Sequence, residues 1–414
     1  MTTTVAPTGH PAGDPSRRWP TEIRILMGGT FAVRAAGFCY PFLPYHLDAL
    51  QLSTRTVGQL LAVFGLGWFT GSVLWGWLSD KAGRRPTLTA AMTMAAIALP
   101  LLAQAHAPTA VAGAAFVAGM AYDAPRPVLS AAIAERYADD KNRAHLNATR
   151  NFIINVAAAT AGATGGVLAD RAGIPALLWA NGTVCALFGV FAWLTLDNST
   201  STAAGQRPAG LHLQDVLRDT RLAVLLLTSL ATLSAAASLF SSLPMLMARA
   251  GLSATDYGWA QTANAAAVLA LSPMLNRWLS QRAHRGHPMT GMLALSALIL
   301  GTSMGAAALA STVTGFSLLA ALAVPGEVIA FVAAGDVLAR ISPPGAYGLY
   351  AGIWGTTLAG AVVIAPVLAS WSLTRGGPNL AAATTLTCGV IGAALCWPLA
   401  ALTRRIPTSL PGGG

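Results

Sequence analysis

Charge is scarce in this 414-residue chain: Asp, Glu, Lys and Arg make up 10% of it, where soluble domains carry about a quarter. So few ionic groups cannot cover a water-facing surface. With 54% hydrophobic residues and a mean hydropathy of +0.58, the chain has lipid as its main solvent. Cysteine is nearly missing as well. Cys39, Cys185, Cys388 and Cys396 all fall in apolar runs without ligand spacing, so neither a disulfide framework nor a zinc site is implied. There is no His/Asp cluster, no Ser/His constellation and no Walker-type phosphate loop, so the expectation is a protein that is not an enzyme or a nucleotide-driven pump and needs no cofactor. A cleavable signal peptide is not expected either: about twenty polar, Pro- and Thr-rich residues precede a first apolar run that is too long for an h-region.

What is present is a series of apolar stretches, each near the roughly 20 residues that a helix needs to cross a bilayer. They are predicted at 22–48, 57–79, 87–105, 110–134, 147–169, 174–196, 221–248, 257–279, 288–310, 313–339, 346–373 and 379–402, giving an all-α membrane protein of twelve transmembrane helices. A formal charge of +10 raises nucleic acid as a partner, but the placement of the bases argues against it. With a cytoplasmic N-terminus, nineteen basic residues fall on the inner side, among them Arg24, Lys81, Arg150, Arg285 and Arg404. Four (Arg55, Arg171, Arg249 and Arg375) fall outside, and Arg34 and Arg126 remain inside the membrane. By the positive-inside rule both termini are then cytoplasmic. The expected setting is the inner (cytoplasmic) membrane, with the bilayer, a small-molecule substrate and protons as partners, no nucleic acid, and a monomeric chain.

The chain also repeats itself. Leu43-Pro44 matches Leu243-Pro244, Leu52-Ser53 matches Leu252-Ser253, and Gly58 matches Gly258, all at an offset of 200. Two related six-helix bundles are therefore expected, at 21–196 and 221–403, between cytoplasmic tails at 1–20 and 404–414. Residues 197–220 form the expected linker, in which Leu211, Leu213, Val216 and Leu217 suggest a short amphipathic helix on the membrane surface.

One hairpin carries most of the family signal: Gly76-Trp77-Leu78-Ser79-Asp80-Lys81-Ala82-Gly83-Arg84-Arg85-Pro86-Thr87-Leu88, with a degraded copy from Trp278 to Arg285. Gly83 permits the tight reversal, Gly76 is expected to let its helix approach a neighbour closely, and Asp80 can accept hydrogen bonds from Arg84 and from a facing helix N-terminus near Gly345. Gly76, Leu78, Asp80, Lys81, Gly83, Arg84, Arg85 and Leu88 resemble the signature of the major facilitator superfamily. That resemblance implies a cytoplasmic gate that locks the two bundles in the outward-open state. The bland alternative is that Lys81, Arg84 and Arg85 only satisfy the positive-inside rule. In the second copy Gln281 replaces the acid and His284 the glycine, so a weaker latch is expected there.

Five ionisable residues lie within predicted spans: Arg34, Asp123, Arg126, Glu327 and Asp336. An intramembrane charge costs at least about 2.5 kcal/mol, so each should face the interior or a partner. Arg34, Asp123, Arg126 and Glu327 are the candidate substrate and proton-binding residues, with Asp123 and Arg126 three apart on one helical face and able to pair. Glu327 follows Pro325-Gly326, expected to break the helix at a cavity wall, and is read as a proton carrier; the alternative is a structural ion pair with Arg34 or Arg126. Asp336 with Arg340 is read as an inner-gate pair. Asn151, Asn155, Gln261 and Asn264, and the aromatics Phe38, Tyr40, Trp259, Tyr350 and Trp354, are further cavity candidates.

Arg34-Ala35-Ala36-Gly37 followed by Pro41-Phe42-Leu43-Pro44 is similar to the first helix of multidrug-efflux members of the superfamily. Two departures stand beside it: Ala115 occupies the place four residues before Gly119 where drug antiporters carry Arg, and Ala161 to Gly166 lacks the usual proline. The expected function is proton-coupled export of a drug or natural product by alternating access, driven by the proton gradient. The alternatives are a proton-coupled importer of a small organic anion or nutrient, and a membrane receptor or enzyme that does not transport.

Overall fold

A computed structural model of the chain describes residues 19–36, 39–136, 140–197, 216, 218–285, 289–343 and 346–403. The expected tails, the linker around Leu211 and Leu213, Phe38 and Gly345 lie outside the described residues. The described elements are helices: α1 (Thr21–Ala35), α2 (Cys39–Ala49), α3 (Thr54–Ala82), α4 (Arg84–Gln104), α5 (Pro108–Tyr122), α6 (Pro125–Arg136) and α7 (Asp140–Thr160). A π-helical turn at Ala161–Gly165 leads into α8 (Gly166–Thr195). Then come α9 (Thr220–Ala237), α10 (Ser242–Arg249), α11 (Ala254–His284), α12 (Thr290–Ala307), α13 (Val313–Leu322), α14 (Val324–Ile341) and α15 (Tyr347–Thr403). Seven of the described helical stretches are long and apolar enough to cross a membrane.

Two of those stretches are not single rods. The backbone leaves helical geometry at Gly173 in α8 and at Gly377 in α15. The chain reverses at Gly377. Before it, Tyr350 bonds Asp219 and Trp354 bonds Ser229, so α15 starts alongside the start of α9. After it, Gly392 lies against Thr232, with Thr384 and Cys388 beside Ser238 and Ser242, so the second leg runs back.

The internal repeat is visible as geometry. Leu52 N–H bonds Leu47 O and Gln51 N–H bonds Asp48 O; 200 residues later Leu252 N–H bonds Met247 O and Gly251 N–H bonds Ala248 O. Both are Schellman closures of a short helix. Gln51 and Gly251 hold the left-handed positions, at φ 56° and 75°. Ser53 and Ser253 then cap α3 and α11 through their hydroxyls, accepting from Thr56 N–H and Asp256 N–H.

Four expected spans are interrupted. The first is split after Ala35, the fourth after Tyr122, the seventh after Ala237 and the tenth after Leu322. In the fourth, Pro125 has no N–H for the carbonyl of Ala121 and its ring crowds that oxygen, so the α-ladder stops. Tighter bonds replace it, from Ala124 N–H to Ala121 O and from Arg126 N–H to Asp123 O. Pro325 stands 200 residues after Pro125, in the first turn of α14. In the tenth span the interruption is at Ala323, before the Pro325-Gly326 pair where it was expected, because a proline is accommodated in the first turn of a new helix.

The two sequence halves meet through glycine. A Cβ on Gly58 of α3 would overlap Ser370 and approach Pro366 O of α15, and one on Gly258 of α11 would overlap Gly162 O in the π turn. Asp170 accepts from Ala254 N–H (3.1 Å) and Thr255 N–H (3.0 Å) at the start of α11. Thr262 bonds Ala159 O (3.2 Å) and Tyr40 bonds Val362 O (3.4 Å). These contacts gather toward the Ser53/Ser253 end of the molecule. Within the first half, Gly67 and Gly71 of α3 receive the backbone of Phe116 and Met120 in α5. Gly76, expected to make such an approach, has no atom within 4 Å of its Cβ position: the crossing lies one to two turns earlier on the helix.

Gln51 is the one described non-glycine residue in the left-handed region, a conformation that costs a side-chain-bearing residue about 1 to 2 kcal/mol. Gln51→Gly relieves that strain, partly offset by the greater freedom of glycine in the unfolded chain. The expected net gain is about 0.5 to 1 kcal/mol, read as a higher Tm of the detergent-solubilised protein. An unchanged or lower Tm rules the strain out.

Candidate functional site

The interruption in the fourth expected span places Asp123 at the end of α5, where it is 8% exposed. Its carboxylate is engaged from three sides. Oδ1 accepts from Arg34 Nη2 of α1 at 2.6 Å, Oδ2 accepts from Trp68 Nε1 of α3 at 3.0 Å, and Arg126 Nη1 stands 3.6 Å from Oδ2. Arg150 of α7 completes the cluster: its Nη1 donates to Ser130 Oγ at 2.7 Å, and Ser130 Oγ donates to Arg126 O at 2.9 Å. The charges of Arg126, Asp123 and Arg34 all act on Arg150. Among the described residues, two guanidinium groups share one carboxylate and that of Arg150 stands within reach of its charge. The excess rests on Arg126, whose side chain is 38% exposed, and on Arg150, whose Nε is buried without a hydrogen-bond partner.

The second interruption carries the opposite chemistry. Glu327 lies in the first turn of α14. Asn264 of α11 donates to Ala320 O at 3.0 Å, one turn before Pro325, and to Glu327 Oε1 at 3.4 Å. Near Asn264 on α11, Gln261 Oε1 lies 2.9 Å from the Tyr257 hydroxyl, which also reaches Leu239 O between α9 and α10 at 3.1 Å. No described cation lies within ion-pair distance of Glu327, so it is paired with neither Arg34 nor Arg126.

The hairpin residues are placed differently from the expected latch. Gly83 adopts φ 90°, ψ 168°, ending α3 and starting α4. Arg84 is buried and bonds Glu22 Oε1 at 2.5 Å, while Asp80 is exposed and makes no hydrogen bond or ion pair among the described residues. The Arg84 contact with Asp80 is thus replaced by one to Glu22, because α1 begins beside the start of α4. Lys81 lies over the Trp77 ring at 4.5 Å and Arg85 over Trp193 at 4.1 Å. Asp336 and Arg340 pair at 2.7 Å, but both are on α14, one turn apart, and among the described residues the pair joins no second helix.

The other polar and aromatic candidates scatter. Tyr40 is buried, Trp259 is 52% exposed, and Asn155 bonds Asn151 O within α7. Trp354 bonds Ser229 Oγ at 2.9 Å, and Tyr350 bonds Asp219, which caps α9. Burial by itself would push the Asp219 carboxyl up, but hydrogen bonds from Arg221 and Tyr350 hold it below its ordinary value.

Sequence reasoning missed Trp68 and Arg150. Arg150 was countable as intramembrane, since it falls four positions inside the fifth predicted span, but it was assigned to the inner loops. Trp68 offered no signal: its partner is 55 residues away.

The sequence profile of the Major Facilitator Superfamily matches residues 25–254. No curated protein sequence matches the chain. Among solved structures, a POT family transporter in complex with a thioalcohol-conjugated peptide is similar, with TM-score 0.75 and 13% identity over 94% of this chain and 97% of that one. The peptide transporter POT in complex with alafosfalin gives TM-score 0.74 and 15% identity over 94% and 96%. The nucleoside transporter NupG gives TM-score 0.68 and 13% identity over 92% and 98%. At these identities the likeness is one of fold.

Removing one partner of a buried ion pair strands the other, a loss of about 3 to 5 kcal/mol. Asp123→Asn should therefore lower the thermal unfolding midpoint sharply, and adding Arg34→Gln should restore part of it. A double-mutant cycle in detergent is expected to give a coupling above about 1 kcal/mol; strictly additive losses mean that the pair is not coupled.

Proposed function

The chain belongs to the Major Facilitator Superfamily, and from that premise we propose that it is a proton-coupled secondary transporter whose cargo is a small organic molecule bearing an anionic group. One observation carries the reading. The fourth and tenth expected spans are both interrupted beside a proline, 200 residues apart, and each interruption presents ionisable side chains. Paired discontinuous helices in corresponding positions of two repeats are where such transporters hold substrate and coupling ions. Arg126 and Arg150 supply the positive charge for an anionic group, Arg34 and Asp123 fix the geometry around them, and Glu327 is the proton carrier.

In this reading the chain crosses the membrane twelve times, as two bundles of six helices at 21–196 and 221–403, with the termini cytoplasmic. The backbone breaks at Gly173 and Gly377 divide two of the seven apolar stretches into two crossings each, and the interrupted first and fourth spans and α11 supply the other three. Rocking of the halves exposes the site alternately. The glycine contacts at the Ser53/Ser253 end support a state closed there. Asp80, exposed at the other end, is the group that engages when that end closes. Export follows from the resemblance of the first helix to efflux members; uptake of an organic anion is the second reading, favoured by the guanidinium excess.

Membrane vesicles with an imposed proton gradient separate the two. Accumulation opposite to the proton flux supports export, and accumulation along it supports uptake. In either case Glu327→Gln should abolish gradient-driven accumulation while leaving substrate counterflow in place; full accumulation by that variant removes the proton role. Asp80→Asn should bring transport to background with normal membrane insertion, and a wild-type rate there removes the gate role.

A further inference from the structure

The stacked bases of the hairpin remain unused by the transport reading. Arg85 lies with its guanidinium 4.1 Å from the centre of the Trp193 ring, and its Nε is buried without a hydrogen-bond partner. No described carboxylate pairs with it. Trp193 is 48% exposed and closes an apolar stripe on α8 that includes Leu187, Val190 and Leu194, all exposed. Asp197 follows directly where the helix ends. A cation is thus held over an indole at the end of an exposed apolar stripe, as expected where a lipid-facing surface gives way to water.

The pattern occurs again around it. Lys81 stacks on Trp77, one turn before it on α3, and lies four residues from Arg85 across the Gly83 turn. In the second half Arg282 stacks on Trp278 at 5.9 Å, with the same spacing of four and an offset of 201, and its Nε is also buried and unpartnered. Trp77 and Trp278 are 52% and 46% exposed. Plain topology signals need only solvated charge. The guanidinium groups of Arg85 and Arg282 instead each stand over an indole ring that is itself partly exposed, and their Nε donors have no acceptor among the described residues, which suits an acceptor from the bilayer side.

We propose that Arg85 on Trp193, assisted by Lys81 on Trp77, binds the phosphate of an anionic phospholipid headgroup whose acyl chains lie on the apolar stripe of α8, and that Arg282 on Trp278, the counterpart of Lys81 on Trp77, offers a headgroup contact in the second half. A lipid fits better than a dissolved anion, since the guanidinium stands over Trp193 at the end of an exposed apolar stripe that acyl chains can cover. The inference needs the membrane setting of the chain but not its transport direction or substrate.

Native mass spectrometry of the full chain, released from nanodiscs of phosphatidylcholine mixed with phosphatidylglycerol, tests it on the monodisperse fraction. Wild type should retain phosphatidylglycerol over phosphatidylcholine. Arg85→Gln and Trp193→Leu should each reduce that retention about fivefold, the order that one base contributes at an anionic surface, and Arg55→Gln, an exposed base at the opposite boundary, should not. Equal retention of the two lipids, no change in Arg85→Gln, an equal drop in Arg55→Gln, or displacement of the lipid by inorganic phosphate overturns the proposal.

Discussion

A carboxylate surrounded by guanidinium groups inside a membrane protein is the interaction on which the candidate site depends. Asp123 buried without a partner would cost several kcal/mol. Arg34 and Trp68 satisfy both of its oxygens, and Arg126 adds charge at slightly longer range. The backbone makes this possible. Pro125 stops the α-ladder, so Asp123 sits at a helix end with room for two donors instead of on a closed helical face. The same device recurs at Pro325, but there Glu327 has an amide for a neighbour instead of a cation. One backbone motif thus appears twice with opposite electrostatics, an excess of positive charge in the first half and a lone carboxyl in the second.

A second constraint is how the halves touch. Their described contacts include glycine against the facing helix, the rings of Phe42 and Tyr45 against Tyr257, Asp170 accepting from two main-chain N–H groups, and the hydroxyls of Thr262 and Tyr40 donating to main-chain carbonyls. No described ion pair joins residues before 197 to residues after 218. Close backbone packing of this kind is shape-dependent and carries little electrostatic cost on separation. It suits the proposed rocking of the halves. The helices within each half are instead tied by buried bonds such as Trp75 Nε1 to Met120 O at 2.6 Å.

By itself the sequence determined the multi-pass membrane setting, the helical class and the repeat at an offset of 200, and it marked the ionic groups of the candidate site other than Arg150, because hydropathy, turn residues and charges within apolar runs are local properties. Gly83 at the hairpin and the match of Leu52-Ser53 to Leu252-Ser253 were readable for that reason. Only the tertiary structure decided who pairs with whom: Arg34 with Asp123 across 89 residues, Trp68 across 55, Arg84 with Glu22 instead of Asp80. It also moved the close approach from Gly76 to Gly67 and Gly71, and drew Arg150 from the topology count into the site. Partner choice depends on which helix faces present themselves to each other in space, and no periodicity along the chain encodes that.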